Sequence, residues 1–500
     1  MTGPAVIVRH PAMITGSVML ATIMQALDTT IANVALPRMQ GTLSATQDQM
    51  VWVLTSYIVA SAIMIPLTGW LSGRYERKRV FLISIAGFTV ASVLCGMAAS
   101  LPQMVIFRLL QGISGAALVP LSQAVLFDIN APANYGKAMS FWGVGVMLGP
   151  ILGPTLGGWL TEDYNWRWVF YINVPIGILA FAGLFLFLPE SPRRIFARFD
   201  FFGFAMLSLG IGSLQMMLDR GELQNWFSSR EIITEAVLAG LGFYGLVIQM
   251  LSVEHPFLMP GMFKDRNFLT GSVLMFLFGL FMFATLALIP PMLQNLMGYP
   301  VLTTGLVTSP RGVGTMVGMF LSGRILGRVD ARLIMGTGLI LTLVSLWQMS
   351  HFSLLMGEQA VVVSGLLQGF GMGLIYVPLS TVTFMSLAAD MRSEGTAFFS
   401  LLRNVGSSIG ISVVQIMFTR NLQTVHTDLS AHVTALHFAG ASPAALVALN
   451  HEISRQAAMV AYVDDFWLML ILSIGAVPLM LVFRSPKNEA GAGTHVTLAD

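Results

Sequence analysis

Fourteen apolar runs, each close to the length of a membrane span, punctuate this chain. A helix rises 1.5 Å per residue, so about 20 apolar residues cross the hydrocarbon layer. The runs lie near 13–35, 50–71, 80–99, 103–126, 137–160, 168–188, 201–219, 232–251, 268–293, 305–326, 332–350, 359–384, 397–418 and 465–484. Inside a bilayer the backbone must satisfy its own hydrogen bonds, and runs of this length do so as helices. The expected class is an all-α integral membrane protein. Composition agrees: 55% of residues are hydrophobic, 10% are charged, and mean hydropathy is +0.76. The surface of a soluble domain needs about 25% charged residues. Residues 1–12 carry Arg9 and lead straight into the first run, so no cleavable signal peptide is expected.

The positive charges orient the runs. Arg74, Arg77, Lys78 and Arg79 follow the second, Lys137 the fourth, and Arg193, Arg194 and Arg198 the sixth. Lys264 and Arg266 follow the eighth. Arg324, Arg328 and Arg332 surround the turn after the tenth, and Arg484 and Lys487 follow the last. With fourteen spans all of these fall on one side, which the positive-inside rule makes cytoplasmic, together with both termini. The opposite 419–464 loop holds only Arg420 and Arg455.

Two segments recur at a nearly constant offset. Leu109-Leu110-Gln111-Gly112 with Val119-Pro120-Leu121-Ser122 returns as Leu366-Leu367-Gln368-Gly369 with Val377-Pro378-Leu379-Ser380. Gly69, Gly73, Arg74 and Lys78 align with Gly323, Gly327, Arg328 and Arg332. The halves are therefore parallel repeats of six helices, with a helix pair inserted between them. The expected divisions are a six-helix bundle in 1–190, the inserted pair in 199–256, and a second bundle in 257–418 and 465–485. Residues 419–464 form a periplasmic loop, in which Ser442-Pro443 and the alanine-rich stretch after it read as an N-cap and a helix, and 486–500 form a cytoplasmic tail. Two parallel halves match the major facilitator plan, which binds its cargo between them near the midplane.

Asp28 is the costly residue. It lies in the first run, in Leu27-Asp28-Thr29-Thr30-Ile31-Ala32-Asn33-Val34-Ala35-Leu36-Pro37. A carboxylate near the bilayer centre costs roughly 2.5–3.5 kcal/mol or more, and such groups mark ion paths, substrate sites or buried pairs. Arg108 opens Arg108-Leu109-Leu110-Gln111-Gly112 in the fourth run; its repeat partner is Gly365. Counting residues puts Arg108 ~9 Å and Asp28 ~10 Å from the same face. The two can share a buried network, with Gln111 and Asn33 as supporting polar groups. The plain alternative is a static ion pair, an expensive way to join helices.

Other residues admit two readings. The basic loop Gly69-Trp70-Leu71-Ser72-Gly73-Arg74-Tyr75-Glu76-Arg77-Lys78-Arg79 either gates closure through Arg74, Arg77 and Lys78 or simply anchors the membrane face. In the fifth run Gly149-Pro150 and Gly153-Pro154 lie between Gly145 and Gly157-Gly158. Glycines four apart let helices pack closely and prolines bend them, so this helix is a hinge, a proton seal or close packing alone. Arg311 and Arg403, each inside an apolar run, attract an anion, balance a carboxylate or snorkel to an interface.

These motifs resemble the EmrB/QacA family of fourteen-span drug:proton antiporters, within the major facilitator superfamily. The resemblance rests on Leu27 to Pro37, Arg108 to Gly112, the fifth-run glycines and prolines, and Leu402 to Gly406. Ile211 to Gly221 and Trp226 to Ser229 resemble the EmrB-like export subunits in particular. The basic loop departs from the family form: Gly73 replaces the usual Asp, and Glu76 the usual second Gly. The resemblance implies proton-coupled export of hydrophobic drug-like compounds from the inner membrane. It also implies partnership with a periplasmic adaptor of the EmrA type and an outer-membrane channel of the TolC type.

Several classes are disfavoured. Net charge +2 gives no reason to expect nucleic-acid binding. The lone Cys95 offers neither an internal disulfide nor a cysteine metal cluster, and His426, His432, His437 and His451 do not share a helix face. No GxxxxGK[ST] motif supplies ATP drive, and no catalytic constellation or cofactor site is expected. Two alternatives to export stand: a proton-driven importer of a small solute, and a non-transporting membrane scaffold.

Overall fold

The structure, a computed structural model, describes residues 10–190, 199–388, 391–432 and 443–482. Arg193, Arg194, Arg198, His437, Arg484, Lys487 and the 486–500 tail lie outside the described residues. The N-terminal part contains α1 (Pro11–Leu43), α2 (Gln47–Tyr75), α3 (Arg77–Met97), α4 (Leu101–Gly115), α5 (Leu118–Ile129), α6 (Tyr135–Asp163), α7 (Trp168–Tyr171) and α8 (Asn173–Phe187). Then come α9 (Phe201–Arg220) and α10 (Arg230–Ser252). The C-terminal part contains α11 (Arg266–Pro291) with a π turn at Met292–Leu296, α12 (Val301–Ile325), α13 (Ala331–Met349), α14 (Glu358–Met385), α15 (Arg392–Ala431), α16 (Pro443–Gly475) and α17 (Val477–Val482).

Polar residues between the apolar runs start the helices. Thr46 and Gln49 form a capping box on α2, with reciprocal bonds of 3.4 and 3.0 Å. Asp200, Ser229, Asp265 and Asp330 cap α9, α10, α11 and α13 by accepting backbone N–H bonds. Asp200 also accepts from Gln249 at 2.8 Å and from the Phe257 N–H at 3.1 Å, so one carboxylate ties both ends of the α9–α10 hairpin.

Among the described residues, 12 helices are long and apolar enough to cross a membrane. The count is 13 if α6, bent by 40° between Pro132–Gly153 and Thr155–Asp163, is one span. The fourteen expected spans are thus not all recovered. The helix outside the set, α12, carries Arg311 amid glycine, serine and threonine. It packs between α14 and α6, with Leu306, Val313 and Val317 on its exposed face.

The 419–464 segment carries the helix read after Ser442 and a second helical stretch before it. It is helical on both sides: α15 runs on to Ala431, and α16 begins at Pro443. Hydropathy reports contact with lipid, whereas a polar stretch can continue a helix already nucleated inside the membrane. His426 and Asn450 lie 3.2 Å apart across the two extensions.

The repeat is visible in matching close approaches. A Cβ at Gly112 would lie 2.5 Å from the Tyr57 carbonyl of α2, and Gly369 meets the Arg311 carbonyl of α12 in the same way. The two parts meet at the end bearing the α2–α3 turn. There Gly69 of α2 abuts the Glu394 backbone of α15, and Gly323 of α12 abuts Ser140 and the Gly136 carbonyl of α6. Deeper, Gln123 of α5 donates to the Tyr376 hydroxyl of α14 at 3.0 Å, and Trp142 of α6 stacks on the same ring. The inserted α9 bridges both parts. Gly212 faces Ile63 of α2, Gln215 and Ser408 of α15 bond at 2.8 Å, and Ser412 donates to the Leu218 carbonyl at 3.0 Å.

Helix α6 lies directly behind Asp28. A Cβ at Gly149 would meet the Ala26 carbonyl carbon at 2.5 Å, and Gly153 touches Thr30, whose hydroxyl donates to the Gly149 carbonyl at 3.1 Å. Gly149→Val should therefore push α1 off α6 and cost about 1–3 kcal/mol. Gly158→Ala, with nothing within 4 Å of the added carbon, should leave stability within about 0.5 kcal/mol. Thermal unfolding of the two variants in one detergent checks the contrast; equal melting temperatures would refute this packing.

Candidate functional site

Asp28 is fully buried on α1. Its Oδ2 accepts from Arg108 Nη1 at 2.7 Å, so the two charges placed at one depth by residue counting are in contact. Its Oδ1 accepts from Gln111 Nε2 at 2.8 Å and from Asn173 Nδ2 at 3.0 Å. Arg108, 1% exposed, is held on every side. Its Nη1 also donates to Gln111 Oε1 at 2.7 Å, its Nε donates to the Val53 carbonyl at 3.0 Å, and its guanidinium carbon sits 4.4 Å from the Tyr57 ring centroid. Asn173 further donates to Ser92, which donates to the Phe170 carbonyl. Five helices, α1, α2, α3, α4 and α8, thus converge on one carboxylate.

Such an arrangement answers the main objection to a buried ion pair. Desolvating two charges costs several kcal/mol each, and only full hydrogen bonding offsets it. Here both carboxylate oxygens are satisfied by three donors. The glycine after Gln111 makes the geometry reachable, because Gly112 lets α4 approach the α2 backbone.

Asn33 does not join. It is exposed, and its amide donates to the Thr29 carbonyl at 3.4 Å. Five residues advance a helix by about 140° beyond a full turn, so Asn33 leaves the face that Asp28 occupies. Asn173 takes the place that the sequence reading gave to Asn33. Its signal was a lone amide opening the apolar run that follows Tyr171.

Arg311 and Arg403 also stand apart. Arg311 is buried, donates from Nη2 to the Met282 carbonyl at 2.8 Å, and forms no ion pair among the described residues. Around it the C-terminal half repeats the N-terminal site without its acid. Gln368, the counterpart of Gln111, donates to Thr285 at 3.3 Å, where Gln111 meets Asp28. Gly365 stands where Arg108 would be, and the Arg311 Cβ packs over it. Arg403 is half-buried beside the Tyr376 hydroxyl.

In the basic loop the roles divide. Arg77 pairs with Asp128 at the end of α5, donates to the Ala124 carbonyl at 3.3 Å, and reaches Ser393 on α15 at 2.6 Å. Arg392 of α15 approaches Asp128 at 3.7 Å. One carboxylate therefore links both halves. Arg74 and Lys78 enter no ion pair among the described residues; Lys78 lies 5.8 Å from the Phe185 ring. Glu76, in the place of the family's glycine, has φ 75°, a region that favours glycine, and pairs with Arg79 at 2.8 Å. Gly149 and Gly153 seat α6 against α1, and Pro150 lies about one turn before the 40° bend that follows Gly153.

An apolar pocket is lined by Phe278, Phe281, Met335, Leu339, Met372 and Met480. It lies within the C-terminal half, not between the halves, so it is not the shared cavity expected of a drug site.

Removing one partner of the central pair leaves a buried charge uncompensated, at a cost of about 3–5 kcal/mol. Arg108→Ala should lower stability by that order, and Asp28→Asn combined with Arg108→Gln should lose less than either change alone. Thermal unfolding of the set in detergent tests this; additive losses would mean the two charges are not coupled.

Residues 18–411 match the family model of the Major Facilitator Superfamily. The multidrug export protein EmrB of Haemophilus influenzae is 34% identical over 493 residues, covering 96% of each chain. The fatty acid resistance protein FarB of Neisseria gonorrhoeae is 33% identical, covering 96% of this chain and 98% of that protein. Among solved structures, the proton:xylose symporter XylE superposes with a TM-score of 0.62 at 15% identity, over 94% of this chain and 96% of that one. That likeness speaks for the fold alone. The family model and these relatives show that this chain is a transporter, not an enzyme, and that it belongs to the EmrB-like branch of the major facilitator superfamily.

Proposed function

We propose that the chain is a proton-coupled exporter of hydrophobic or amphipathic toxic compounds, working by alternating access with Asp28 as its proton site. The single observation that carries this reading is the network around Asp28. A carboxylate with three donors is buried in one half, and the equivalent position of the other half holds Thr285. A proton arriving on Oδ2 competes with the Arg108 bond, and so loosens the joint between α1 and α4. Helix α6, packed on α1 through Gly149 and Gly153, carries that change toward its own bend.

The full reading has fourteen spans, with α6 and α12 both crossing, and both termini in the cytoplasm of an inner membrane. On that orientation the α2–α3 turn is cytoplasmic. The contacts of Arg77 with Ser393 and of Gly69 with Glu394 then close the cytoplasmic end in this conformation. Relatives named for multidrug export and fatty acid resistance support the substrate class. By resemblance, a periplasmic adaptor of the EmrA type and a channel of the TolC type complete the pump. The helical extensions of α15 and α16 are the surface we assign to the adaptor.

Energetics permit the coupling. One charge crossing 100 mV gains ~2.3 kcal/mol, which at ~1.4 kcal/mol per decade sustains a roughly 40-fold gradient of a neutral substrate. In proteoliposomes with an imposed pH gradient, Asp28→Asn should abolish substrate-driven proton movement, and Asp28→Glu should keep part of it. Undiminished proton flux in Asp28→Asn would sink the assignment. Arg77→Gln should weaken the cytoplasmic closure, seen as faster labelling of cysteines placed between the halves from that side. Unchanged labelling would leave the loop as a membrane anchor only.

A further inference from the structure

Beyond the Asp28 network, the described spans hold another buried carboxyl that the scheme above does not use. Asp465 lies in α16, in the helical segment Ala444–Met480 that is long and apolar enough to cross a membrane, and is 0% exposed. Neither carboxyl oxygen has a hydrogen-bond partner. It takes part in none of the ion pairs among the described residues. About 25 Å of helix separates it from Val482, which keeps it inside a hydrocarbon layer of ~30 Å.

The residues around it in the helix pack on aromatic rings, and Asp464 is the charged group beside it. Phe466 meets Phe352 edge-on at 5.9 Å, and Tyr462 packs on Phe418 of α15 at 4.4 Å. The elements packed on α16 are α15, α13, α11, α17 and the π turn. On α16 itself, Tyr462 and Asp464 are adjacent, the latter bonded by Asn421 of α15 at 3.4 Å. Glu452 and Arg455 pair with each other turns away. On α15, Arg420 is exposed and His426 is engaged with Asn450. After α13, His351 turns its ring nitrogen to the Trp347 carbonyl at 2.8 Å, and Arg332 is at the far end of that helix. From Asn267 to Leu296, α11 and the π turn carry no titratable group, and neither does α17.

A bare carboxylate among these groups is strongly disfavoured, whereas the neutral acid is tolerated. We infer that Asp465 is a second proton-binding group, loaded in this conformation and unloaded when α16 parts from its neighbours during transport. The place where they part is visible. The π turn at Met292–Leu296 follows Pro290 and Pro291, abuts α16, and is a break at which helix geometry can change. The C-terminal half then lacks the counterpart of Asp28 yet has its own proton carrier on another helix.

Infrared difference spectra of the full-length protein in lipid at neutral pH test the loaded state. A protonated carboxylic-acid carbonyl band is expected in the wild type and in Asp28→Asn, and its loss in Asp465→Asn. Asparagine closely matches the neutral acid in size, so folding should survive. Asp465→Glu, which keeps an acid, should shift the band and not remove it. A band that persists in Asp465→Asn, or is missing from the wild type, overturns the inference. The transport half rests on the proton-coupled reading above. In proteoliposomes Asp465→Asn should lower the proton-to-substrate ratio by one proton. An unchanged ratio with the band lost would also overturn the inference, because the acid would then be structural. Absence of proton-driven flux in the wild type would instead defeat the proton-coupled reading, and would leave the infrared result standing.

Discussion

The buried contact between Asp28 and Arg108 constrains the whole N-terminal half. Two buried charges held at 2.7 Å require hydrogen-bond partners for the carboxylate and guanidinium groups beyond each other. That demand recruits Gln111 from the same helix as Arg108, Asn173 from α8, the Val53 carbonyl and Tyr57 ring from α2, and Ser92 from α3. Helix positions follow from it. The helix α4 must come close enough to α2 for Arg108 to reach Val53, and Gly112 removes the side chain that would prevent it.

The C-terminal half shows the same scaffold released from that demand. Gln368 keeps its place and bonds Thr285, but Arg108 has become Gly365. A guanidinium nonetheless occupies the region, delivered by Arg311 from α12 and turned to the Met282 carbonyl. The repeat therefore preserves where polar groups are buried more faithfully than which helix supplies them or what charge they carry.

The halves are joined where small residues permit it. Gly69 against Glu394 and Gly323 against Ser140 bring backbones together at one end, and Arg77, Asp128, Ser393 and Arg392 lay a polar clasp over them. Asp128 in the clasp is 39% exposed, whereas Glu394 and Ser140 are buried. The inserted α9 adds a second tie, bonded to α15 through Gln215 and Leu218 and packed on α2 through Gly212. It lies at the seam of α2 and α15, where a bending motion of the halves would pass.

Much of this was legible before any coordinates. Apolar run length set the helical class, and the repeated Leu-Leu-Gln-Gly and Val-Pro-Leu-Ser segments revealed two halves. Counting residues placed Asp28 and Arg108 at one depth, because rise per residue is constant and depth adds along a helix. Direction around the helix and the identity of lateral neighbours do not add in that way. They depend on how helices far apart in the chain pack. Hence the sequence offered Asn33, which faces away, and did not offer Asn173, which arrives from α8. Hydropathy likewise reported lipid contact and not helix: it stopped α15 near 418, the α16 start came only from Ser442-Pro443, and Asp465 at the rim of an apolar run was passed over. What the sequence determined alone was the common depth of Asp28 and Arg108. Only the tertiary structure decided that they are paired, since burial and partnership are properties of packing between segments.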